Sequence, residues 1–213
     1  NQGACIATGD YFAFLDSDDE WLPQHLKNKV NLIKSDNSQG AFGTFILQKG
    51  KEGNPISFNI DHHSNGNIGN SILSAIRFDA RTSTFVFRKE AFLKIKFDEK
   101  LKKHQDWDLA INFDKRYRLT LDKQPTVKIY VEQEEERMSQ KLQHDSSFYF
   151  IKKNSPSLNS NSIFIFCVKQ IMRSQLSNEP IEIIDHYILV AAEHYKKFNL
   201  RNKILFQLIQ SRI

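Results

Sequence analysis

A run of apolar residues that stops abruptly at a run of acidic ones places the strongest constraint on how this chain folds. Tyr11-Phe-Ala-Phe-Leu15 is almost wholly apolar, and Asp16-Ser-Asp-Asp-Glu20 follows it directly. A short apolar run between polar segments is typical of a strand buried on both faces of a mainly parallel sheet. In α/β proteins of this kind, ligands bind at the carboxyl ends of the strands. The acidic residues lie at that end of the predicted strand.

Patterns on both sides of this strand predict an α/β fold. Residues 1–9 are interpreted as the end of a helix that Gly9 closes, and residues 21–34 carry apolar side chains at helical spacing. Further strands are predicted at 41–48, 82–88 and 127–132, and further helices at 71–78, 89–95 and 106–119. Residues 49–70 are rich in Gly, Asn, Ser and His, which predicts a hairpin or a loop over the ligand site.

The acidic run suggests a cation site. Three carboxylates within four residues (Asp16, Asp18 and Asp19) repel one another unless a positive charge balances them. A divalent ion with oxygen ligands, which also binds substrate phosphates, would do so. A solvated acidic loop, or a helix N-cap at Asp19, fits the cluster equally well. An EF-hand is excluded because Trp21 stands where that loop requires Gly.

Composition limits the class of protein. The chain has 213 residues, of which 40% are hydrophobic and 26% charged, so it can bury a core. No apolar run approaches the ~20 residues that span a bilayer. The two cysteines, Cys5 and Cys167, cannot form a disulfide framework. We therefore expect a soluble, intracellular protein.

Residues 155–161 (SPSLNSN) have the composition of a linker, which predicts a domain of residues 1–154 and a helical C-terminal extension of residues 155–213. The net charge of +5 belongs to residues 151–213, because the first 150 residues carry 21 basic and 21 acidic residues. Lys196, Lys197, Arg201 and Lys203 cluster near one turn of it. Such a cluster fits either a solvated helical face or contact with an anionic membrane. Without a recognisable motif, nucleic acid is not an expected partner.

The sequence resembles glycosyltransferase family 2, the inverting enzymes of GT-A fold. The segments that carry the resemblance are Asn1-x-Gly3, Ala7 to Pro23, His25-Leu26, Arg81 to Lys89, Phe97 to Leu101, Gln105 to Leu109 and Tyr130 to Ser139. They follow the order and spacing of the family over about residues 1–140. The helices predicted after residue 155 lie outside the resemblance.

The resemblance implies a GT-A-like, mainly parallel sheet with flanking helices, whose N-terminal part is missing. In this family, the strand–helix units that bind the nucleoside would precede Asn1. Without them, an edge of the sheet would be left uncovered. We therefore expect either that a longer enzyme supplies these units or that another chain, in an oligomer, covers the edge.

The resemblance also implies roles for site residues. Asp16 and Asp18 match the family's Asp-x-Asp, in which Asp18 would bind Mn²⁺ or Mg²⁺ and Asp16 would hold the donor ribose or the metal. Asp106 matches the general base, although Gln105 stands where an acidic residue is usual. By itself, Asp106 resembles a helix N-cap, and the helix dipole is expected to lower its pKa. Trp107 and Asp108 would contact the acceptor, and Asp108 is the alternative base.

The function implied is metal-dependent, inverting transfer of a sugar from a nucleotide-sugar donor, a UDP-sugar above all, to a glycan or lipid-linked acceptor. The family commonly serves cell-surface polysaccharide or lipo-oligosaccharide biosynthesis. The expected location is the cytoplasm or the inner face of the membrane. The alternative is a non-catalytic interaction module derived from a truncated transferase domain.

Overall fold

A computed structural model describes residues 1–50, 54–58, 67–131 and 142–194. The chain divides into two compact units, Asn1–Phe150 and Ile151–Ile213. The boundary between domains that the sequence suggests at residues 154 and 155 stays a prediction.

The first unit alternates short strands and helices. Its strands are β1 (Tyr11–Ala13), β2 (Asp19–Trp21), β3 (Gly40–Lys49), β4 (Ile56–Phe58), β5 (Val86–Arg88) and β6 (Leu119–Val131). Its helices are α1 (Gln2–Ile6), α2 (His25–Ser35), α3 (Ile68–Ser74), α4 (Lys89–Ile95), α5 (Gln105–Asp114) and the greater part of α6 (His144–Asn154). A 3₁₀ turn, Thr82–Thr84, precedes β5. These elements confirm the α/β class.

The expectation of a mainly parallel sheet is wrong for the described residues. The strand order is β1-β5-β3-β6-β2, with β4 paired to β3, and only the β3–β6 pairing is parallel among those described. The long strands β3 and β6 run side by side in the parallel direction. The other strands are three residues long and pair antiparallel.

The apolar run at Tyr11 to Leu15 is a strand only as far as Ala13. Phe12 and Phe14 contact Phe92, with ring centroids 5.6 and 4.9 Å apart, whereas Ala13 and Leu15 are exposed. The strand is therefore buried on one face, and the prediction that both faces are buried is wrong. Helix α1 likewise ends at Ile6, with Ala7 in extended conformation after it, rather than at Gly9.

An ion pair buried between α2 and β6 connects the helix to the sheet. The Lys29 ammonium donates to Asp122 Oδ2 at 2.8 Å and to Thr126 Oγ1 at 3.2 Å, and its side chain is fully buried. His25 Nδ1 lies 2.9 Å from the same Thr126 hydroxyl. Burial, and then the charge of Lys29, lower the pKa of His25 to about 3, so its imidazole is neutral. Losing one partner of such a pair typically costs about 3–5 kcal/mol.

The second unit is helical where it is described. It contains α7 (Ser160–Leu176) and α8 (Ile181–Glu193), which pack on each other, and the Asn159 side chain caps α7 by accepting from Ser162 N–H at 2.8 Å. The helix expected at 200–211 and the basic cluster at 196–203 lie outside the described residues. In the part of the chain that is described, no helix has the length and apolar character needed to cross a membrane.

The close approach of Lys29 to β3 requires glycine at position 43. A Cβ at Gly43 would lie 2.4 Å from Lys29 Nζ and 3.2 Å from the Asp122 carbonyl oxygen. Lys29 cannot move aside without breaking its buried ion pair. We therefore expect Gly43→Ala to lower the free energy of unfolding by about 1–3 kcal/mol, as overpacking does, measured by urea denaturation.

The matched control is Gly3→Ala, because a Cβ at Gly3 meets nothing within 4 Å. Equal stability of the two variants would show that the Lys29 ammonium does not occupy the place described.

Candidate active site

The acidic turn after β1 is fixed on the 3₁₀ turn before β5 by hydrogen bonds through Ser83. The Ser83 hydroxyl accepts from Asp16 N–H at 3.0 Å and donates to Asp19 Oδ2 at 2.5 Å. The Trp21 indole N–H donates to the Ser83 carbonyl at 2.8 Å, and Trp21 also stacks on His25 with ring centroids 4.7 Å apart. The turn is therefore held at both its ends.

Asp16 and Asp18 are the carboxylates that the turn presents to solvent. Asp19 is half-buried and bonded to Ser83, and Glu20 accepts from the Tyr130 hydroxyl at 2.6 Å. The pKa of Asp16 is raised, first by desolvation of the Asp16 carboxyl group and then by the negative charge of Asp18. The charge of Arg81 opposes this rise. A positive ion would relieve the repulsion between Asp16 and Asp18.

No preformed metal site is present among the described residues, in the sense of three or more His, Cys, Asp or Glu side chains that converge on one point. The two exposed carboxylates of the turn could supply only part of the oxygen ligands of a divalent ion. Further oxygen ligands to the ion would have to come from water or from a bound phosphate.

Asp106 lies in the first turn of α5. It is not the N-cap, because the helix begins at Gln105 and His104 occupies the capping position. The Asp106 carboxylate instead accepts from the backbone N–H of Trp107 at 2.9 Å. Burial raises the pKa of Asp106 to about 7, with Asp79 and Asp16 adding to the rise and Arg81 opposing it. The effect of burial is thus opposite to the lowering expected from the helix dipole, and it is the larger of the two. A carboxyl with a pKa near 7 is suited to general acid–base chemistry.

An ion pair that the sequence reasoning missed lies beside Asp106. Arg81 Nε is 2.7 Å from Asp79 Oδ2, and the Trp107 indole N–H donates to the other oxygen of Asp79 at 2.6 Å. The charge of Asp79, and more weakly those of Asp106 and Asp19, raise the pKa of Arg81. The signal in the sequence is Asp79-x-Arg81, in which Arg81 is the first residue of a segment used for the family resemblance. In extended chain, alternate residues point to the same side.

Trp107 and Asp108 differ in their exposure. Trp107 is half-buried, and one face of its indole is stacked on His104, with ring centroids 4.6 Å apart. The stacked face of the indole is therefore closed to a ligand. Asp108 is 2% exposed. It lies two residues beyond Asp106, roughly 200° around the helix, so the structure does not bring its side chain to the face of α5 that carries Asp106.

The sequence and the fold of the chain are similar to those of a known class of protein. Residues 1–96 match the sequence model of Glycosyl transferase family 2. This part of the chain is therefore similar to that family over 96 of the 213 residues. The match ends before Asp106, so the predicted base lies outside the matched residues.

Individual proteins are similar to the chain as well. The amylovoran biosynthesis glycosyltransferase AmsB of Erwinia amylovora is 37% identical over 123 residues, which is 54% of this chain and 40% of AmsB. Two crystal structures of S. aureus TarS resemble the fold. Residues 1–349 of TarS in complex with UDP-GlcNAc match with a TM-score of 0.56, 17% identity, and coverage of 99% of this chain and 66% of that one. A second TarS structure matches with a TM-score of 0.54, 16% identity, and coverage of 99% and 39%. The chain thus spans two fifths of the length of AmsB.

The Ser83 hydroxyl is expected to contribute to stability because it satisfies two groups of the acidic turn. In Ser83→Ala, the N–H of Asp16 and the carboxylate of Asp19 both lose their partner in a site where Ser83 itself is fully buried. We expect the free energy of unfolding to fall by about 1–3 kcal/mol, measured by urea denaturation.

Ser35→Ala serves as the control, since the exposed Ser35 hydroxyl bonds only the Leu32 carbonyl of its own helix. If Ser83→Ala were as stable as Ser35→Ala, the turn would be held by other contacts.

Proposed function

We propose that this chain is the part of a family 2 glycosyltransferase that holds the catalytic carboxylates. The proposed enzyme moves a sugar from a nucleotide-sugar donor, most simply a UDP-sugar, to a glycan or lipid-linked acceptor in the biosynthesis of a cell-surface polysaccharide. The proposal rests on the ion pair of Arg81 with Asp79, whose other oxygen accepts from the indole of Trp107 beside Asp106. The charge of Arg81 also acts to lower the pKa of Asp16 and of Asp106. AmsB supports the polysaccharide, and the UDP-GlcNAc complex of TarS supports the donor.

Asp16 and Asp18 would hold a divalent cation, Mn²⁺ or Mg²⁺. Their oxygens are the ligands that such ions prefer, both residues face solvent, and the repulsion that raises the pKa of Asp16 would be relieved by the ion. When bound, the ion would neutralise charge on the diphosphate leaving group.

Asp106 would act as the general base. It would accept the proton of an acceptor hydroxyl while that oxygen forms a bond to the anomeric carbon and the bond from this carbon to the donor diphosphate breaks. Attack on the face opposite the leaving group inverts the configuration of the sugar. Arg81 would keep Asp106 ionisable near neutral pH because its charge opposes the effect of burial. The outer face of Trp107 remains the proposed platform for the acceptor ring.

The competing function is a non-catalytic interaction module. Calorimetric titration of Mn²⁺ with and without UDP separates the two, because a transferase site binds UDP more tightly when the metal is present. Metal-dependent binding of UDP would favour the transferase, and its absence would favour the module.

Two substitutions divide binding from chemistry. Asp18→Asn is expected to abolish the metal-dependent part of UDP binding, because it removes a ligand charge. Asp106→Asn is expected to keep that binding and to lower the rate of transfer by about 10²–10⁴-fold, the usual contribution of a general base. Calorimetry and a transfer assay measure the two effects. Glu20→Gln is the control, because Glu20 belongs to the same acidic run but pairs with Tyr130. An Asp106→Asn enzyme with near-normal turnover would disprove the assignment of the base.

The pH dependence of the rate reports on Arg81. Because the base must be ionised, the rate is expected to fall as the pH drops below the pKa of Asp106, which lies at about 7 without a cation and lower with a cation near Asp16. In Arg81→Gln, the charge that opposes the raised pKa is gone, so the acid limb of the rate profile moves to higher pH. Arg81→Lys keeps the positive charge, so its acid limb should return most of the way to the wild-type position. An acid limb that does not move in Arg81→Gln would mean that Asp106 is not the titrating base.

Two further proposals rest on the sequence alone. One concerns the basic residues at 196–203, and the other the sheet edge that the family resemblance predicts to be uncovered. We propose a peripheral contact with an anionic membrane through the basic residues, which would bring the enzyme close to a lipid-linked acceptor. We also propose that a second copy of the chain covers the edge of the sheet.

A further inference from the structure

We infer that helix α6 is a positioning element for the base, and that Ser147 and Phe150 hold Asp106 in place through His104 and Trp107. The catalytic part of this inference rests on the proposed function. Helix α6 lies beyond the residues that match the family and beyond the resemblance that the sequence shows.

The start of α5 needs support from outside the helix. His104, the residue before it, has a φ of 66°, in the left-handed region that costs a residue with a side chain free energy unless its surroundings hold it. The His104 side chain makes no capping hydrogen bond to the helix. The base lies two residues further on, so the conformation at His104 fixes the direction in which Asp106 points.

Helix α6 supplies this support with buried polar contacts. The Ser147 hydroxyl lies 3.0 Å from His104 Nε2, and both residues are at most 5% exposed. The neighbouring Ser146 hydroxyl accepts from the N–H groups of Lys102 and Lys103, each at 3.0 Å, and donates to the Lys103 carbonyl. Two consecutive serines of α6 therefore fix the chain that leads into α5.

Aromatic packing continues the contact to the base. Phe150 of α6 is fully buried, and its ring centroid lies 5.1 Å from that of His104 and 6.1 Å from that of Trp107. The His104 ring stacks on Trp107. Trp107 in turn donates its backbone N–H to Asp106 and its indole N–H to Asp79. A displacement of α6 would therefore reach both the base and the partner of Arg81.

The test uses the two tryptophans of the chain as probes. A ¹H–¹⁵N spectrum of the full chain should show two indole N–H signals, from Trp21 and Trp107, which Trp→Phe variants assign. We expect Ser147→Ala to shift the Trp107 signal and to leave the Trp21 signal in place, because Trp21 bonds to Ser83. Ser147→Thr keeps the hydroxyl and should restore the Trp107 signal. Phe150→Leu should shift the same signal independently of Ser147.

The kinetic test distinguishes positioning from support of the fold. At a temperature well below unfolding, we expect Ser147→Ala to lower kcat by about 10-fold, as small misplacements of catalytic groups do, with the KM for the donor unchanged. Ser155→Ala is the control, since the exposed Ser155 hydroxyl bonds only Lys152 in the turn after α6. It should change neither kcat nor the indole signals.

The outcomes separate this inference from the proposed function. A protein that carries this chain together with the family's nucleoside-binding units, and that still binds no UDP in the presence of metal, would refute the proposed function. A Trp107 signal that does not move in Ser147→Ala would refute the contact chain whatever the activity. A moved signal with an unchanged kcat, or a loss that appears only in the donor KM, would refute the positioning of Asp106.

Discussion

The candidate site depends on the attraction between the positive charge of Arg81 and the carboxylates of the site. Carboxylates from three separate parts of the chain come within the influence of this charge: Asp16 and Asp19 from the acidic turn, Asp79 from the segment before the 3₁₀ turn, and Asp106 from α5. Burial and mutual repulsion raise the pKa of Asp16 and Asp106, which favours their protonated, uncharged forms. Arg81 opposes both effects. It is held by its bond to Asp79 rather than by the residues whose charge it balances.

The geometry around Arg81 is maintained by two separate sets of contacts. On one side, the acidic turn is bonded to Ser83, and Trp21 stacks on His25, which belongs to the buried network of Lys29 and Asp122. On the other side, α5 is tied to α6 through His104. Each set ends in a buried polar group that would be costly to leave without its partner. The carboxylates of the site are therefore carried on segments that cannot shift without breaking a buried hydrogen bond.

The parts of the fold that follow from local pattern could be predicted from the sequence. The strand at 40–49, the helix at 89–95 and the α/β class agree with the predictions because periodicity and helix-forming residues determine them locally. The direction of strand pairing does not follow from local pattern. Whether Tyr11 to Ala13 lies antiparallel to β5 depends on residues 75 positions away, and an apolar run looks the same in either arrangement. The helix expected at 71–78 lies at Ile68–Ser74 instead, because Asn67 caps it three residues earlier.

The electrostatics of the site show most clearly what sequence alone could not supply. Asp16 and Asp18 can be predicted as site residues because they lie two positions apart in the chain. The pair of Asp79 and Arg81 can be assigned to the site only once the fold places it near Asp106. The position of Asp106 in the first helical turn predicts that the helix dipole lowers its pKa. This effect is worth about 0.3–1 kcal/mol. Since one pKa unit corresponds to about 1.4 kcal/mol, the dipole shifts the pKa by less than one unit. Burial shifts a carboxyl by up to roughly 3–5 units. The pKa of Asp106 is therefore decided by what covers the start of α5, and the contacts of α6 with His104 and Trp107 are among the tertiary contacts that hold that part of the chain in place.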